Sequence, residues 1–133
     1  PPGRDIRLRL DLASVRIGME QAAPCGLLVN ELISNSLKHG FPAGQTGEVR
    51  VALRVMDAPG QLRPQVSDTG VGLPPDFETR RKSSLGLQLV SDLSAQLGGT
   101  LTIGAGPEVV FTLEFTASVP HSPLIPIKRA NVT

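Results

Sequence analysis

Residues 27–42 read LLVNELISNSLKHGFP and predict an amphipathic helix with polar side chains on one flank. Its apolar residues fall on one broad face at about 100° per residue, namely Leu28, Val29, Leu32, Ile33 and Leu37. The helix is predicted to begin at Pro24, because a proline in the first turn loses no hydrogen bond. It is predicted to run to about His39, since Gly40 is a typical helix terminator and Pro42 confirms the break.

Five segments elsewhere in the chain are predicted to be β-strands: residues 6–12, 47–56, 61–67, 100–103 and 109–116. The first two alternate apolar and polar side chains with period two, as strands with one solvated face do. Pro64 predicts an edge strand or a bulge for the third, because proline donates no hydrogen bond to a ladder. Residues 58–60 predict a turn, and residues 15–17 a short extended piece.

A glycine-, proline- and charge-rich stretch, residues 68–84, is predicted to be a loop. A second amphipathic helix follows on the apolar residues Leu85, Leu89, Val90, Leu93 and Leu97, and Gly98 with Gly99 ends it. The short connections favour hairpins, so the predicted fold is α+β, a two-layer α/β sandwich. Its mixed, mostly antiparallel sheet has the helices on one face. We expect one domain over residues 1–118 and a tail or linker remnant over residues 119–133, where periodicity is lost.

The composition excludes several function classes. A formal net charge of +1 argues against binding nucleic acid or an anionic membrane, and the lack of tryptophan and tyrosine disfavours base stacking. No apolar run approaches the roughly 20 residues of a membrane helix, so we expect no membrane contact by this domain. Cys25 is the only cysteine, which indicates a reducing compartment. We therefore expect a cytoplasmic domain, cut from a longer parent that can be membrane-anchored.

The first predicted helix carries a candidate site for a metal and phosphates. Glu31 and Asn35 lie one helical turn apart, and Lys38 lies on the same side. The neutral carbonyl oxygen of Asn35 suits Mg²⁺, and Lys38 offers a point charge to phosphates. Glu31 can accept a proton or orient an attacking group. An ordinary polar helix flank has the same composition and stays open as an alternative.

The second candidate is the loop DTGVGLP at residues 68–74. Asp68, at the end of a predicted strand, can accept a hydrogen bond from the amino group of adenine, where guanine presents a carbonyl. Gly70 and Gly72 permit backbone conformations closed to other residues and a close approach to a flat ring. A plain Asp–Gly loop is the alternative.

The third candidate is SSLGLQ at residues 83–88. Ser83 or Ser84 can cap the following helix, whose free N–H groups and dipole attract anions. Gly86 lets a phosphate come near. The alternative is a capped helix with a tolerated glycine.

Together, the order and spacing of these three motifs resemble the GHKL ATPases, which include gyrase, Hsp90-type chaperones, mismatch-repair ATPases and histidine kinases. Residues 27–42, 68–74 and 84–99 resemble the histidine-kinase branch with a short lid. The resemblance extends over residues 5–117 and implies the Bergerat ATP-binding fold.

The resemblance also implies roles for matching residues. Asn35 matches the magnesium-binding asparagine, and Glu31 the acidic position that is a general base in the hydrolytic members. Asp68 matches the adenine-reading aspartate. The implied catalytic residues are Glu31, Asn35 and Lys38. The implied nucleotide-binding residues are Asn35, Lys38, His39, Asp68, Gly70, Gly72, Ser84, Leu85, Gly86 and Leu87.

The sequence departs from the family pattern in three places. The lid before Ser84 is short and lacks a phenylalanine box. The basic run at residues 80–82 can take the place of that box by contacting the phosphates, or it can be a solvated charge run. Val109 stands where relatives have a threonine that supports the adenine pocket. Ser84 opens the second glycine box in place of a glycine.

The implied function is the ATP-binding catalytic domain of a two-component sensor histidine kinase, with ATP and Mg²⁺. The γ-phosphate would pass to a histidine on a separate dimerisation domain, and a response regulator would act downstream. His39, inside the nucleotide helix, and His121, in a proline-rich tail, are poor acceptors. The alternatives are a GHKL-type ATP hydrolase, an anti-sigma-factor-type serine kinase and a non-catalytic module that binds nucleotide or partner proteins.

Overall fold

The fold is built on one five-stranded sheet. The computed structural model describes residues 5–42 and 45–118. Its elements are β1 (Ile6–Leu12), α1 (Met19–Asn35), β2 (Gly47–Val55), β3 (Gln61–Asp68), α2 (Phe77–Ser83), α3 (Leu85–Gln96), β4 (Thr100–Ala105) and β5 (Val109–Thr116). The strand order is β1-β2-β3-β5-β4, and β1 pairs with β2 in parallel while the other pairs are antiparallel. The predicted α+β fold with a mixed, mostly antiparallel sheet is confirmed.

The core lies between the sheet and the helices α1 and α3. Alternate residues of β5 are buried, from Val109 through Phe111 and Leu113 to Phe115. The helices contribute the buried residues Leu28, Leu32, Val90 and Leu93 to the same cluster. Buried residues thus recur at every second position on the strand and three or four residues apart on the helices, as in other two-layer folds.

Helix α1 begins earlier than predicted, at Met19, and Pro24 lies inside it. A proline there removes the hydrogen bond that residue 24 would donate to the carbonyl of residue 20. Tertiary contacts offset this loss, because Pro24 is buried and the Gln21 side chain binds the end of β5. The Gln21 amide donates to the carbonyl of Thr116 (3.0 Å), and its oxygen accepts from the Ser118 N–H (2.7 Å). Residues 13–18, including the predicted extended piece, contain no strand.

The prediction that Pro64 marks an edge strand or a bulge is wrong, because β3 lies between β2 and β5. On the β5 side, pairing joins Leu62 to Phe115 and resumes with Gln65 opposite Thr112. The register is the same on both sides of this gap, so no residue is inserted. The missing N–H of proline interrupts the ladder there, and a hydrogen-bonded ion pair between Arg63 and Glu114 spans the interruption.

The predicted loop at residues 68–84 contains a short helix, α2. Phe77 is buried and anchors this helix to the core. Asp76 pairs with Arg80 one turn later (2.9 Å). The acidic residue of the first turn is Glu78, while the last turn is basic, a distribution that suits the helix dipole. The loop prediction is therefore wrong over residues 77–83.

The structure also gives the bounds of β4, the strand that follows α3. Strand β4 extends to Ala105, past the predicted end at residue 103. The predicted tail at residues 119–133 lies outside the described residues. In the described part of the chain, no helix has the length and apolar character needed to cross a membrane.

Candidate functional site

A cavity of about 620 Å³ opens between the end of α1, the loop after β3, α2 and the start of α3. Its volume lies in the range typical of small-molecule sites. The lining residues are Asn35, Ser36, His39, Gly40, Asp68, Val71, Gly72, Leu73, Pro74, Pro75, Phe77, Arg80, Ser83, Ser84, Leu87, Val109 and Phe111. The cavity thus brings together residues from all three predicted motifs.

Asp68 is the acidic residue among those that line the cavity. This residue ends β3, is 4% exposed and sits between Val49 of β2 and Val109 of β5 in the sheet. Its Oδ1 atom accepts a hydrogen bond from the N–H of Gly70 (2.9 Å). A buried carboxylate needs further hydrogen-bond donors, so Asp68 favours a ligand with an amino group.

Two backbone segments meet beside Asp68, at Gly40 and Gly70. The carbonyl of Gly40 accepts a hydrogen bond from the N–H of Val71 (2.8 Å). A Cβ atom at Gly70 would lie 2.1 Å from the carbonyl oxygen of Gly40, so only glycine fits. Gly70 does not line the cavity but packs behind it. Gly72 does line the cavity, and its φ of +86° favours glycine.

The loop after Asp68 is also held by β2. Thr69 and Glu48 form a reciprocal pair: the Thr69 N–H donates to the Glu48 carbonyl, and the Glu48 N–H donates to Thr69 Oγ1, both at 3.0 Å. The Glu48 carboxylate accepts a hydrogen bond from the Arg50 side chain, which lowers the pKa of Glu48. The Thr69–Glu48 pair thus ties the start of this loop to β2.

The end of α1 forms a second wall of the cavity. The helix continues beyond Asn35 as a π-helical turn, Ser36–Gly40; such turns often occur at functional sites. Asn35 and His39 line the cavity, as does Ser36, whereas Lys38 is exposed and does not.

The side chain of Glu31, a residue of α1, lies against the first turn of α3. Its Oε2 atom is 3.2 Å from the position that a Cβ atom at Gly86 would take. Neither residue lines the cavity. Gly86 therefore allows a carboxylate of α1 to approach the first turn of α3.

The start of α3 also contributes residues to the cavity lining. Ser84 is the N-cap, and its Oγ atom accepts a hydrogen bond from the N–H of Leu87 (3.2 Å). Ser84 and Leu87 line the cavity, whereas Leu85 is 82% exposed. Ser83, the alternative cap, instead donates to the carbonyl of Arg80.

Of the basic run at residues 80–82, only Arg80 lines this cavity. Its guanidinium group pairs with Asp76, while Arg81 pairs with Glu78. An aromatic wall, which no sequence motif predicts, comes from Phe77 and Phe111. The period-two pattern of β5 is the signal that could have placed Phe111 on the same face as Val109.

The chain belongs to the family described as histidine kinase-, DNA gyrase B- and HSP90-like ATPases, whose model matches residues 21–117. ATP is accordingly the nucleotide that this domain uses. Among curated proteins, the chain is similar to Blue-light-activated histidine kinase 2 of Erythrobacter litoralis, with 34% identity over 101 residues. That match covers 76% of this chain and 29% of the relative. It is also similar to the sensor histidine kinase PdtaS of Mycobacterium tuberculosis, with 37% identity over 84 residues, covering 62% of this chain and 16% of the relative.

A solved structure supports the same branch of the family. The blue-light-activated histidine kinase of Erythrobacter litoralis EL346 superposes with a TM-score of 0.78 at 31% identity, over 85% of this chain and 36% of that chain. The resemblance to sensor histidine kinase ATP-binding domains is thereby confirmed. The chain spans less than a third of the length of the curated relatives named here.

Proposed function

We propose that this chain is the ATP-binding catalytic domain of a sensor histidine kinase, which directs the γ-phosphate of ATP toward a histidine on another domain. The observation that carries this proposal is the shared cavity, because Asp68, Asn35 and Ser84 all line it. Phosphoryl transfer depends mainly on positioning and charge neutralisation, and the residues of this cavity can supply both.

Asp68 would read the base. Its carboxylate only accepts hydrogen bonds, so the 6-amino group of adenine is a partner and the carbonyl of guanine is repelled. The apolar wall of Phe111 and Val109, together with Leu73, offers a surface for the purine ring.

The triphosphate would lie toward α3. This helix has 12 residues, and its first N–H groups lack partners within the helix. Together with the helix dipole they favour an anion. Ser84, Leu85, Gly86 and Leu87 are the proposed contacts, and Arg80 on the cavity wall adds a positive charge.

On the wall formed by α1, Asn35 would hold a Mg²⁺ ion. Asn35 offers an uncharged oxygen donor, which fits an ion that retains several waters. Once bound, the ion would neutralise charge that develops on the phosphates. His39 lines the cavity and Lys38 precedes it on the same turn, so both are proposed phosphate contacts. Glu31 would orient or deprotonate the acceptor from beside the first turn of α3.

The acceptor is proposed to lie on a histidine-bearing dimerisation domain of the parent, with a response regulator as the downstream partner. His39 belongs to the cavity wall and is a poor acceptor. The matched relatives are at least three times longer than the matched segment, which leaves room for such domains. We propose residues 1–118 as the catalytic domain.

Titration of Mg-ATP and Mg-GTP into the chain tests the base-reading role. We expect ATP to bind, GTP to bind poorly, and Asp68→Asn to weaken ATP binding about 10- to 100-fold, the range for a hydrogen bond to a charged group. Asp57→Asn, in an exposed turn, is the matched control. Circular dichroism verifies that both variants fold. Equal ATP affinity of Asp68→Asn and the original chain would refute the assignment.

Two further measurements test the metal and the reaction. In Asn35→Ala, ATP binding should lose its dependence on Mg²⁺. When the chain is mixed with a histidine-bearing dimerisation domain of a sensor kinase and labelled ATP, label should appear on the histidine. Steady phosphate release without an acceptor would instead indicate an ATP hydrolase.

A further inference from the structure

The side chain of Ser36 is buried and has no partner. Ser36 is 2% exposed and lines the cavity. Within residues 5–42 and 45–118, its Oγ atom is the one fully buried side-chain nitrogen or oxygen without a hydrogen bond. Buried hydroxyl groups nearly always have a partner, and Ser36 borders the cavity, so a molecule bound there can supply one.

Ser36 lies on the side of the α1 end that faces Asp68. Ser36 begins the π-helical turn that Gly40 ends, so the two residues lie on the same side of the helix about one turn apart. A Cβ atom at Gly40 would lie 3.1 Å from Oδ1 of Asp68, which puts this side of the turn against the Asp68 carboxylate.

We propose that the Ser36 hydroxyl is a second adenine contact, donating a hydrogen bond to a ring nitrogen of the base directly or through one water. This proposal rests on the proposed function and deepens it. Asp68 takes the 6-amino group, and the ring nitrogens that flank this group are N1 and N7. Both are hydrogen-bond acceptors, whereas the Asp68 carboxylate cannot donate. A hydroxyl beside Asp68 supplies the donor that the carboxylate lacks.

The test compares Ser36→Ala and Ser36→Cys with Ser34→Ala, a control at a partly buried position of α1 that does not line the cavity. The cysteine variant fills the space that a water could otherwise occupy. Each protein is titrated with ATP, 1-deaza-ATP and 7-deaza-ATP. Thermal unfolding without nucleotide is recorded in parallel.

We expect both Ser36 variants to bind ATP about 3- to 10-fold more weakly, the range for one hydrogen bond. For the analogue that lacks the contacted nitrogen, the same variants should bind as well as the original chain. Ser36→Ala should unfold at the same temperature as the original chain or higher, because it removes an unpaired hydroxyl and favours the helix.

Three outcomes would overturn the assignment. One is unchanged ATP affinity in both Ser36 variants while Asp68→Asn loses binding. Another is an equal loss for ATP and both analogues. The third is a lower unfolding temperature of Ser36→Ala without nucleotide, which would reveal a structural partner. If the original chain binds no ATP, the proposed function itself fails, and this assignment with it.

Discussion

Adding a single methyl group at Gly70 should separate the end of α1 from the loop after β3. The new Cβ atom would lie 2.1, 2.6 and 2.8 Å from the carbonyl oxygen, carbonyl carbon and Cα of Gly40. All three are backbone atoms, so no side-chain rotation can relieve the overlap. Non-bonded heavy atoms pack at about 3.5–4.0 Å, so the two backbones must move apart by roughly 1 Å or more.

This movement breaks the hydrogen bond from Val71 N–H to the Gly40 carbonyl, which measures 2.8 Å. Loss of the bond costs about 1 kcal/mol, and strain from an overpacked contact adds about 1–3 kcal/mol. Gly70→Ala should therefore lower the free energy of unfolding by about 2–4 kcal/mol. Domains are stable by about 5–15 kcal/mol, so the variant should still fold. Because Gly40 lines the cavity, ATP affinity should fall as well.

Urea denaturation followed by circular dichroism measures the stability change, and an ATP titration measures the affinity change. Gly26→Ala is the matched control, since a Cβ atom at Gly26 meets nothing within 4 Å. Gly26 lies within α1 and is exposed, so alanine there should stabilise the protein by about 1 kcal/mol. If Gly70→Ala denatures at the urea concentration of the original chain and binds ATP equally well, the Gly40–Gly70 contact does not exist in solution.

Val109→Thr should bind ATP about 3- to 10-fold more tightly in the same titration. Residue 109 lies directly opposite Asp68, and a hydroxyl there can donate a hydrogen bond to the carboxylate. Weaker binding would contradict this reasoning. Gly72→Ala should lose about 1–2 kcal/mol in urea denaturation, because its φ of +86° strains any other residue even in open space; unchanged stability would show that the loop adopts another conformation. The pKa of Glu48 is lowered by the hydrogen bond from Arg50, so its stabilising effect is present above the usual value of 4.5 and is lost as pH falls through the lower folded pKa. Glu48→Gln should flatten the acid limb of stability against pH, and an unchanged limb would show that the pair contributes nothing.

Where a pattern is long and strongly periodic, the sequence was sufficient to predict the element. Helix α3 follows from its leucine spacing, and Gly98 ends it with a φ of +66°. The alternation of β1 and β2 likewise predicts both strands within one residue of their ends. In these segments local preference and tertiary packing agree, so a local rule is enough.

Proline rules failed at both Pro24 and Pro64, and for one reason. Each rule considers only the hydrogen bond that proline cannot donate. It omits the packing of the proline ring, and both rings are buried in the folded chain. Packing against the core, with Gln21 bound to the end of β5 in one case and the Arg63–Glu114 pair in the other, offsets one missing bond. No local rule can include Thr116 or Glu114, the residues that Gln21 and Arg63 contact, because both lie far from the prolines in sequence.

The candidate site shows the same division between local and tertiary information. Asn35, Asp68 and Ser84 could be predicted, because each has a side chain whose chemistry is evident from its type and neighbours. Ser36 could not, because serine on a helix is an ordinary residue until the fold buries it without a partner. The alternation of β5 puts Phe111 on the face of Val109, but only the tertiary fold places that face on the cavity wall. Sequence motifs therefore point to the groups that are proposed to bind a nucleotide, whereas the shape and polarity of the cavity depend on tertiary packing. For that reason the Ser36 variants test the structure more directly than a motif variant does.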